Sequence, residues 1–570
     1  MWYYLSMYKS QIEQDLKKAI KELGFEATDI VVYISENVLF GDYASNIALQ
    51  LAKQKSKKSY QNPREIANDL IEAFGHPPYL ERIEVAGPGF INFYLKDNAL
   101  IKELSEKTTE QKELDEDELP ERVLVEYASP NAFKPLHIGH LRNIITGESI
   151  SRILHYSGKD IFRVTYTSEI GPPVAKAIWG INQDPKEFAE IEKIGTLTQK
   201  VRFLGDAYVA GNAAYESLPN IKEEIDQINV KLYLSDPELT ELWKKTRAWS
   251  LAYLAALYTR LGSEFDAEIY ESDMARIGLE VVKEYTGSVF FESDGAIIFP
   301  GEKYGLHNRV FITSKGTPTY EAKDLGVNQR EQELYPYDRV IHVVGSEQIE
   351  YFKVIIKAIE QIDPKMTGKK IHQPYGWVTL SSGKMSSRLG NVILAEELID
   401  KVKEEIKETY SSDASEKTLE TIAIAAVKFA YLKYGLTSDI ALDIKQSVAL
   451  HGDSGPYLLY TYARINSILT KALTVKPEAK TSTDLEPEER EVLRQIDYFE
   501  AIAERAAIEL SPNDLANYLL NLAKSFNTFY EKHSVLGSKK QDLRLKITTT
   551  VGEKLKLGCY LLGFDVLDKM

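Results

Sequence analysis

Val123-Leu124-Val125-Glu126-Tyr127-Ala128-Ser129-Pro130-Asn131-Ala132-Phe133-Lys134-Pro135-Leu136-His137-Ile138-Gly139-His140 runs from a short apolar stretch through a loop and towards a helix beginning near Leu141. Three consecutive aliphatic residues suit a parallel strand buried on both faces. In an open α/β sheet, ligands bind beyond the carboxyl ends of such strands. The first turn of the following helix offers unpaired N–H groups and a positive dipole end to phosphate. Gly139 admits a flat base or a phosphate close to the backbone. His137 and His140 can donate hydrogen bonds to phosphate oxygens as negative charge builds at a reacting phosphorus. The plain alternative is two structural histidines in a turn, so context has to decide.

Context comes from a second segment, Ser381-Ser382-Gly383-Lys384-Met385-Ser386-Ser387-Arg388, which also follows a short apolar run. It combines glycine, hydroxyls and two cations, the materials of a phosphate clamp. Alone it reads as a polar loop. Downstream of His-Ile-Gly-His, it reads as that motif's partner.

Working outward, Ile161 to Thr167, Arg339 to Val344 and Gly376 to Leu380 supply further candidate strands with helical stretches between them. The alternation predicts a doubly wound, Rossmann-like parallel sheet over 123–395. A charged, mostly helical insertion interrupts it at about 181–260. Upstream, 8–23 and 63–74 look helical, and 80–86 and 89–95 read as strands, which predicts a small α/β module over 1–97. Charged residues 98–122 mark a linker. Beyond 395 the strand signals fade into a helical junction (396–452) and an all-α bundle (453–570). The bundle's clearest helix starts with Ser511 as N-cap and Pro512 at the first helical position. Leu515, Tyr518, Leu519, Leu522, Phe526, Phe529 and Tyr530 then share one face.

Composition narrows the function classes. The chain has 570 residues, so several domains are expected. It has one cysteine, Cys559, which excludes an internal disulfide and a Cys-rich zinc site. No apolar run is long enough to span a bilayer. The N-terminal Met1-Trp2-Tyr3-Tyr4-Leu5 has no signal-peptide core, and a cytoplasmic location is expected. A net charge of −16 argues against a nucleic-acid partner. Distribution argues back: between Lys524 and Tyr560 eight Lys and Arg face three Asp and Glu, and four lysines lie within Lys53–Lys58.

Together, His137–His140 and Lys384–Arg388 resemble the HIGH and KMSKS signatures of class I aminoacyl-tRNA synthetases. The string Ser129-Pro130-Asn131, Lys134-Pro135, His137-Ile138-Gly139-His140 is similar to that of the arginyl family. So are Gly41-Asp42-Tyr43-Ala44 and Ala86-Gly87-Pro88-Gly89-Phe90-Ile91-Asn92, which resemble the family's N-terminal tRNA-elbow domain. Gly455-Pro456-Tyr457-Leu458 and Leu515 to Tyr530 resemble its anticodon-binding bundle. The resemblance implies activation of L-arginine by ATP to an arginyl-adenylate, then transfer to tRNA(Arg) with release of AMP and diphosphate.

It also implies roles for single residues. Lys134, His137, His140, Lys384 and Arg388 would be catalytic. His137, Gly139, His140, Lys384, Met385, Ser386 and Ser387 would bind ATP, which arrives with Mg²⁺; no protein-held metal is expected. Ser387 stands where the signature has its second lysine, and Lys134 would supply that cation from the other side. Glu126, Ser129, Asn131, Tyr320, Asp324 and Gln348 would bind arginine. A guanidinium is a planar fork of donors, so carboxylates suit it. On a helix, Tyr320 and Asp324 would share a face.

Three further departures stand out: Ser168-Glu169 where Gly-Asp is frequent, Tyr351 where many members have His, and Leu389 where Lys is common. A monomer without membrane contact is expected. Another class I synthetase, a small nucleotidyltransferase and a non-catalytic tRNA-binding scaffold remain the rival readings.

Overall fold

Strand Arg122–Glu126 (β1) sits in the middle of a five-stranded parallel sheet with Asp160–Thr167 (β2), Ala267–Tyr270 (β3), Arg339–Gly345 (β4) and Lys370–Tyr375 (β5), in the order β5-β4-β1-β2-β3. Strands β1 and β4 carry aliphatic runs, because helices cover both faces of a parallel sheet. Val123, Leu124, Val125, Val340 and Ile341 are fully buried. The chain reverses direction across the sheet at β1, the switch point where such folds open a crevice. Helix Ile138–Tyr156 (α1) follows β1, Tyr320–Leu334 (α2) precedes β4, and Ile349–Ile362 (α3) follows it.

This computed structural model describes residues 2–3, 7–26, 30–35, 38–54, 59–104, 112–113, 119–381, 393–409, 414–474 and 484–570. They form two compact bodies: one of 1–118, 457–560 and 565–570, the other of 119–456 and 561–564. None of the described helices is long and apolar enough to cross a membrane.

Two strand expectations change. Val378–Leu380 does not join the main sheet; it pairs in parallel with Ile440–Leu442, a strand within the stretch read as purely helical. The sheet's edges are instead β5 and β3, which the apolar pattern missed because both carry polar residues, Lys-Ile-His-Gln-Pro-Tyr and Ala-Glu-Ile-Tyr. The insertion is helical, with helices Pro185–Ile194, Leu197–Ser217, Pro219–Tyr233 and Pro237–Leu261, three of them opening on proline at the first position, where its missing N–H is harmless.

In the other body, four antiparallel strands ordered Val32–Ile34, Tyr43–Ser45, Phe90–Leu95, Leu80–Ala86 pack with helices Met7–Glu22 and Pro63–Phe74. Gly41 has φ +92, and a side chain there would meet the Phe93 carbonyl at 2.6 Å. The turn lets buried Asp42 accept from Leu95 N–H at 2.7 Å and from Arg494 Nε at 2.6 Å. Gly41-Asp42-Tyr43 therefore fastens the α/β module to helix Pro487–Ile508. That helix also accounts for much of the C-terminal basic excess: Lys532 pairs with Glu488, Arg544 with Glu489 and Lys554 with Glu500.

Helix Pro512–Lys532 follows, and its apolar stripe is buried except for Tyr530, which is 37% exposed. Ser511 sits at its N-cap but its side chain caps no N–H; the hydroxyl bonds the Asp514 carboxylate at 3.1 Å instead. Of the cluster Lys53–Lys58, the last four residues lie outside the described residues.

Candidate active site

Between β1 and α1 the backbone is strained: Ala128, Ser129 and Phe133 have φ of 73°, 33° and 67°. Non-glycine residues hold such angles only where the surroundings over-determine them, commonly at functional sites. Here Ala128 N–H donates to Asn143 Oδ1 at 2.5 Å, and Asn143 Nδ2 donates to the Val343 carbonyl at 2.8 Å. Ala132 N–H bonds the Ser168 carbonyl, and Phe133 N–H bonds Ser250 Oγ at 3.1 Å. The loop is thus pinned to β4, to the segment after β2 and to the insertion.

α1 begins at Ile138, three residues before the expected start, with His137 as its N-cap. His137 Nδ1 accepts from Gly139 N–H and His140 Nδ1 accepts from His137 N–H, each at 3.1 Å. An imidazole that accepts at Nδ1 carries its proton at Nε2. Burial, reinforced by the Lys134 charge, pushes His137 down to about 4; burial, then His137 and Lys134, push His140 well below its ordinary value. Both rings are therefore neutral N–H donors. Gly139 has a local reason to be glycine, since a side chain there would lie 2.9 Å from the His137 ring. Lys134 Nζ sits 3.8 Å from the centre of the Tyr208 ring.

Lys384, Met385, Ser386, Ser387 and Arg388, with Leu389, lie outside the described residues. The segments on either side of them are held against α1. Ala395 N–H bonds the Leu136 carbonyl at 2.8 Å and Ile138 N–H bonds the Ile393 carbonyl. Buried Arg142 donates to the carbonyls of Gly376, Trp377, Gly435 and Leu436. Helix α1, which carries the first signature, and Leu136 just before it thus also hold Gly376, Trp377, Ile393 and Ala395.

Beside the strained loop is a cavity of about 460 Å³, lined among others by Glu126, Ser129, Asn131, Tyr320, Asp324 and Gln348. Small-molecule sites run from about 300 to 1,000 Å³. Its acidic groups differ in their partners. Glu321 is paired with Arg309, and Glu347 has no lysine or arginine partner among the described residues. Among the described residues, Asp324 has no lysine or arginine partner. It accepts from Tyr351 O–H at 2.7 Å. Burial, opposed by that bond and aided by Glu126 and Glu321, pushes the Asp324 carboxyl up to about 8. Glu126 Oε2 lies 3.0 Å from His342 Nδ1. Burial would raise Glu126, but His342 and Lys370 outweigh it and hold the carboxyl below its usual range. α2 brings Tyr320 and Asp324 to one face, as their spacing requires.

Sequence reading missed His342, Lys370 and Glu331. A histidine inside Arg-Val-Ile-His-Val-Val-Gly, where a central parallel strand is otherwise aliphatic, was the available signal. Two departures acquire partners: Tyr351 bonds Asp324, and Ser168 donates to Glu271, itself paired with Lys323.

Family models match nearly the whole length: "tRNA synthetases class I (R), catalytic domain" over 100–444, "DALR anticodon binding domain" over 458–570 and "Arginyl tRNA synthetase N terminal domain" over 8–95. The arginine–tRNA ligase of Clostridium perfringens is 30% identical over 587 residues, covering 99% of this chain and 100% of that protein. That of Borrelia hermsii is 31% identical over 98% of this chain and 100% of that protein. The solved arginyl-tRNA synthetase of Thermus thermophilus has the same fold, with a TM-score of 0.81 at 24% identity, covering 99% of this chain and 100% of that one.

Proposed function

The chain belongs to the class I arginyl-tRNA synthetase family and is an arginine–tRNA ligase, and on that premise we propose that the cavity beside Glu126 and Asp324 receives the guanidinium of L-arginine while ATP lies over the His137–His140 turn. Magnesium enters with the nucleotide as part of the substrate. The arginine carboxylate attacks the α-phosphorus in line, the bond to the β-phosphate breaks and diphosphate leaves. The terminal ribose hydroxyl of tRNA(Arg) then attacks the arginyl carbonyl, and AMP departs. Positioning and charge stabilisation suffice for both steps, and no protein nucleophile is needed.

His137 and His140 donate neutral Nε2–H groups to the oxygens where charge develops. Lys134 adds a cation from the same side. Lys384 and Arg388, with Met385, Ser386 and Ser387, take the role that the resemblance gives them at the other side of the triphosphate, and Gly139 lies against the nucleotide. Ser129, Asn131, Tyr320 and Gln348 orient the amino acid. The chain acts as a monomer in the cytoplasm.

One observation carries this reading: Glu126 and Asp324, which among the described residues form no ion pair with a lysine or arginine, face one cavity, and the loop that lines it leads to a pair of uncharged N–H donors. The decisive test charges total tRNA with each amino acid in turn. Arginine alone should be taken up, and Glu126→Gln should raise the arginine KM while leaving that of ATP unchanged. Uptake of a different amino acid, or an arginine KM indifferent to Glu126→Gln, sinks the assignment.

A further inference from the structure

The sheet's register puts three polar side chains where aliphatic ones are the rule. His342 on β4 lies directly opposite Glu126 on β1, and Val340, two residues earlier on β4, lies opposite Lys370 on β5. Residues two apart on a strand project to the same face, so Glu126, His342 and Lys370 emerge together. α2 covers that face. Asp324 and Glu331 are seven residues apart, two helical turns, so one stripe of α2 sends a carboxylate to the cavity and another to the depth behind it.

A continuous chain of contacts results. Lys370 Nζ donates to Glu331 Oε2 at 2.5 Å and lies 3.4 Å from His342 Nε2. His342 Nδ1 lies 3.0 Å from Glu126 Oε2, and Ser129 Oγ donates to Glu126 Oε1 at 3.3 Å. An ammonium has donors only, so Nε2 must accept from it and the ring proton sits on Nδ1, facing Glu126. Phe352 holds the ring in place, its centre 5.3 Å from that of His342, and is itself stacked on His372.

Glu126, Glu331 and His342 present ligand atoms within 4.8 Å of one another, the spacing of a metal centre. The Lys370 ammonium already supplies the positive charge there. Two carboxylates against one ammonium leave one negative charge over, and the hydrogen-bond order places it at the cavity end, on Glu126.

We propose that His342, Lys370 and Glu331 are positioning residues that fix the Glu126 carboxylate in its orientation and keep it charged for an incoming guanidinium. The proposal rests on the reading of Glu126 given above. Glu126 is faced by His342 from β4, Lys370 from β5, Asp324 and Glu331 from α2, Tyr166 from β2 and Ser129 from the loop. Take His342 away and burial acts on Glu126 with less opposition, which favours the protonated form.

The test uses the full-length enzyme in steady-state aminoacylation, with citrulline, a neutral isostere of arginine, as competing inhibitor. His342→Leu should raise the arginine KM roughly tenfold at pH 7.5, as expected if unopposed burial leaves only about one Glu126 carboxyl in ten charged at that pH. The preference for arginine over citrulline should narrow by a similar factor, with kcat and the ATP KM within about threefold of wild type. The KM increase should grow as pH falls from 8 to 6. His342→Asn, whose amide N–H reaches the Nδ1 position, should restore most of the loss.

Should His342→Leu fail to fold, Lys370→Met with Glu331→Leu removes both deep charges at once, leaves neither unpaired and should also raise the arginine KM. An arginine KM that rises in Glu126→Gln but in neither of these variants overturns the positioning chain alone. A KM unmoved in Glu126→Gln as well overturns the cavity reading with it.

Discussion

At the His137–His140 turn burial removes charge from two imidazoles, whereas eleven residues before His137, at the carboxyl end of β1, a carboxylate, Glu126, is kept charged despite burial. The difference lies in what each site has to hold. A triphosphate brings its own cation, so the turn needs only N–H donors aimed at oxygens. A guanidinium can never give up its proton, so its pocket must provide the negative charge. Helix-terminus geometry builds the first, because capping fixes both Nδ1 atoms as acceptors. Sheet register and the opposed helix α2 build the second.

The largest effect should come from breaking the charged half. Asp324→Asn should lower kcat/KM for arginine by roughly a hundredfold to several thousandfold, the range expected when one member of a buried charged pair is lost (about 3–5 kcal/mol). The ATP KM should stay put. Comparable losses in both substrates would mean that the two halves are not separable in this way.

Next is the neutral half. His140→Ala should slow arginyl-adenylate formation by roughly a hundredfold, as when one preorganised donor to a developing oxyanion is removed. Because the rings are already uncharged, with His137 down at about 4, the wild-type rate at saturating arginine should be level from pH 5.5 to 8. A rate that rises through pH 6.5 with the slope of one proton would contradict the neutral assignment.

The contrast sharpens in the pH dependence of arginine binding. The Asp324 carboxyl is raised to about 8, so in the free enzyme it is neutral below that value and charged above it. A guanidinium binds the charged form, and binding below pH 8 must first expel a proton. Affinity should therefore improve about tenfold from pH 7 to pH 9 and then level off. The same shift has a sign for folding. A carboxyl raised in the folded state withdraws stability as pH rises from its unfolded value near 4 towards 8, and removes nothing further above that. Isothermal titration with arginine across this range, in buffers of different ionisation enthalpy, would count the released proton.

How far each half could be read in advance follows from the same contrast. The His-Ile-Gly-His turn is local: strand, loop, cap and helix lie within about 35 residues, and every hydrogen bond that sets the imidazole protons lies between neighbours. So the motif, its donor role and the switch-point strand β1 were legible, whereas the neutrality of the rings follows from their burial in the fold. Glu126 and Asp324 were reachable only through resemblance. Their electrostatics depend on His342 and Lys370, more than 200 residues from Glu126, and no periodicity in either strand states which residue will lie opposite. β5 and β3 were missed for a related reason. An edge strand buries less, tolerates polar residues and loses the apolar run that marks a central one. Val378-Thr379-Leu380 read as a further strand of the sheet, yet its partner proved to be Ile440–Leu442, because a short strand-like stretch does not specify its neighbour.

The smallest effect tests the comparison most finely. Tyr351 donates to Asp324 at 2.7 Å and lowers a carboxyl that burial raises. Phenylalanine there would keep the ring and its packing but remove that donor, so the carboxyl should rise further and be neutral over a wider range. The arginine KM of Tyr351→Phe should then be about threefold above wild type at pH 7.5, the loss of one modest hydrogen bond (roughly 0.5–1.5 kcal/mol). It should converge on wild type near pH 9, where both carboxyls are largely charged. Convergence separates an effect on protonation from one on shape. If the threefold gap persists at pH 9, the hydroxyl touches the substrate itself. If the gap is absent at every pH, the Asp324 carboxyl is governed by burial alone, and the Tyr351 hydroxyl is neutral for the reaction.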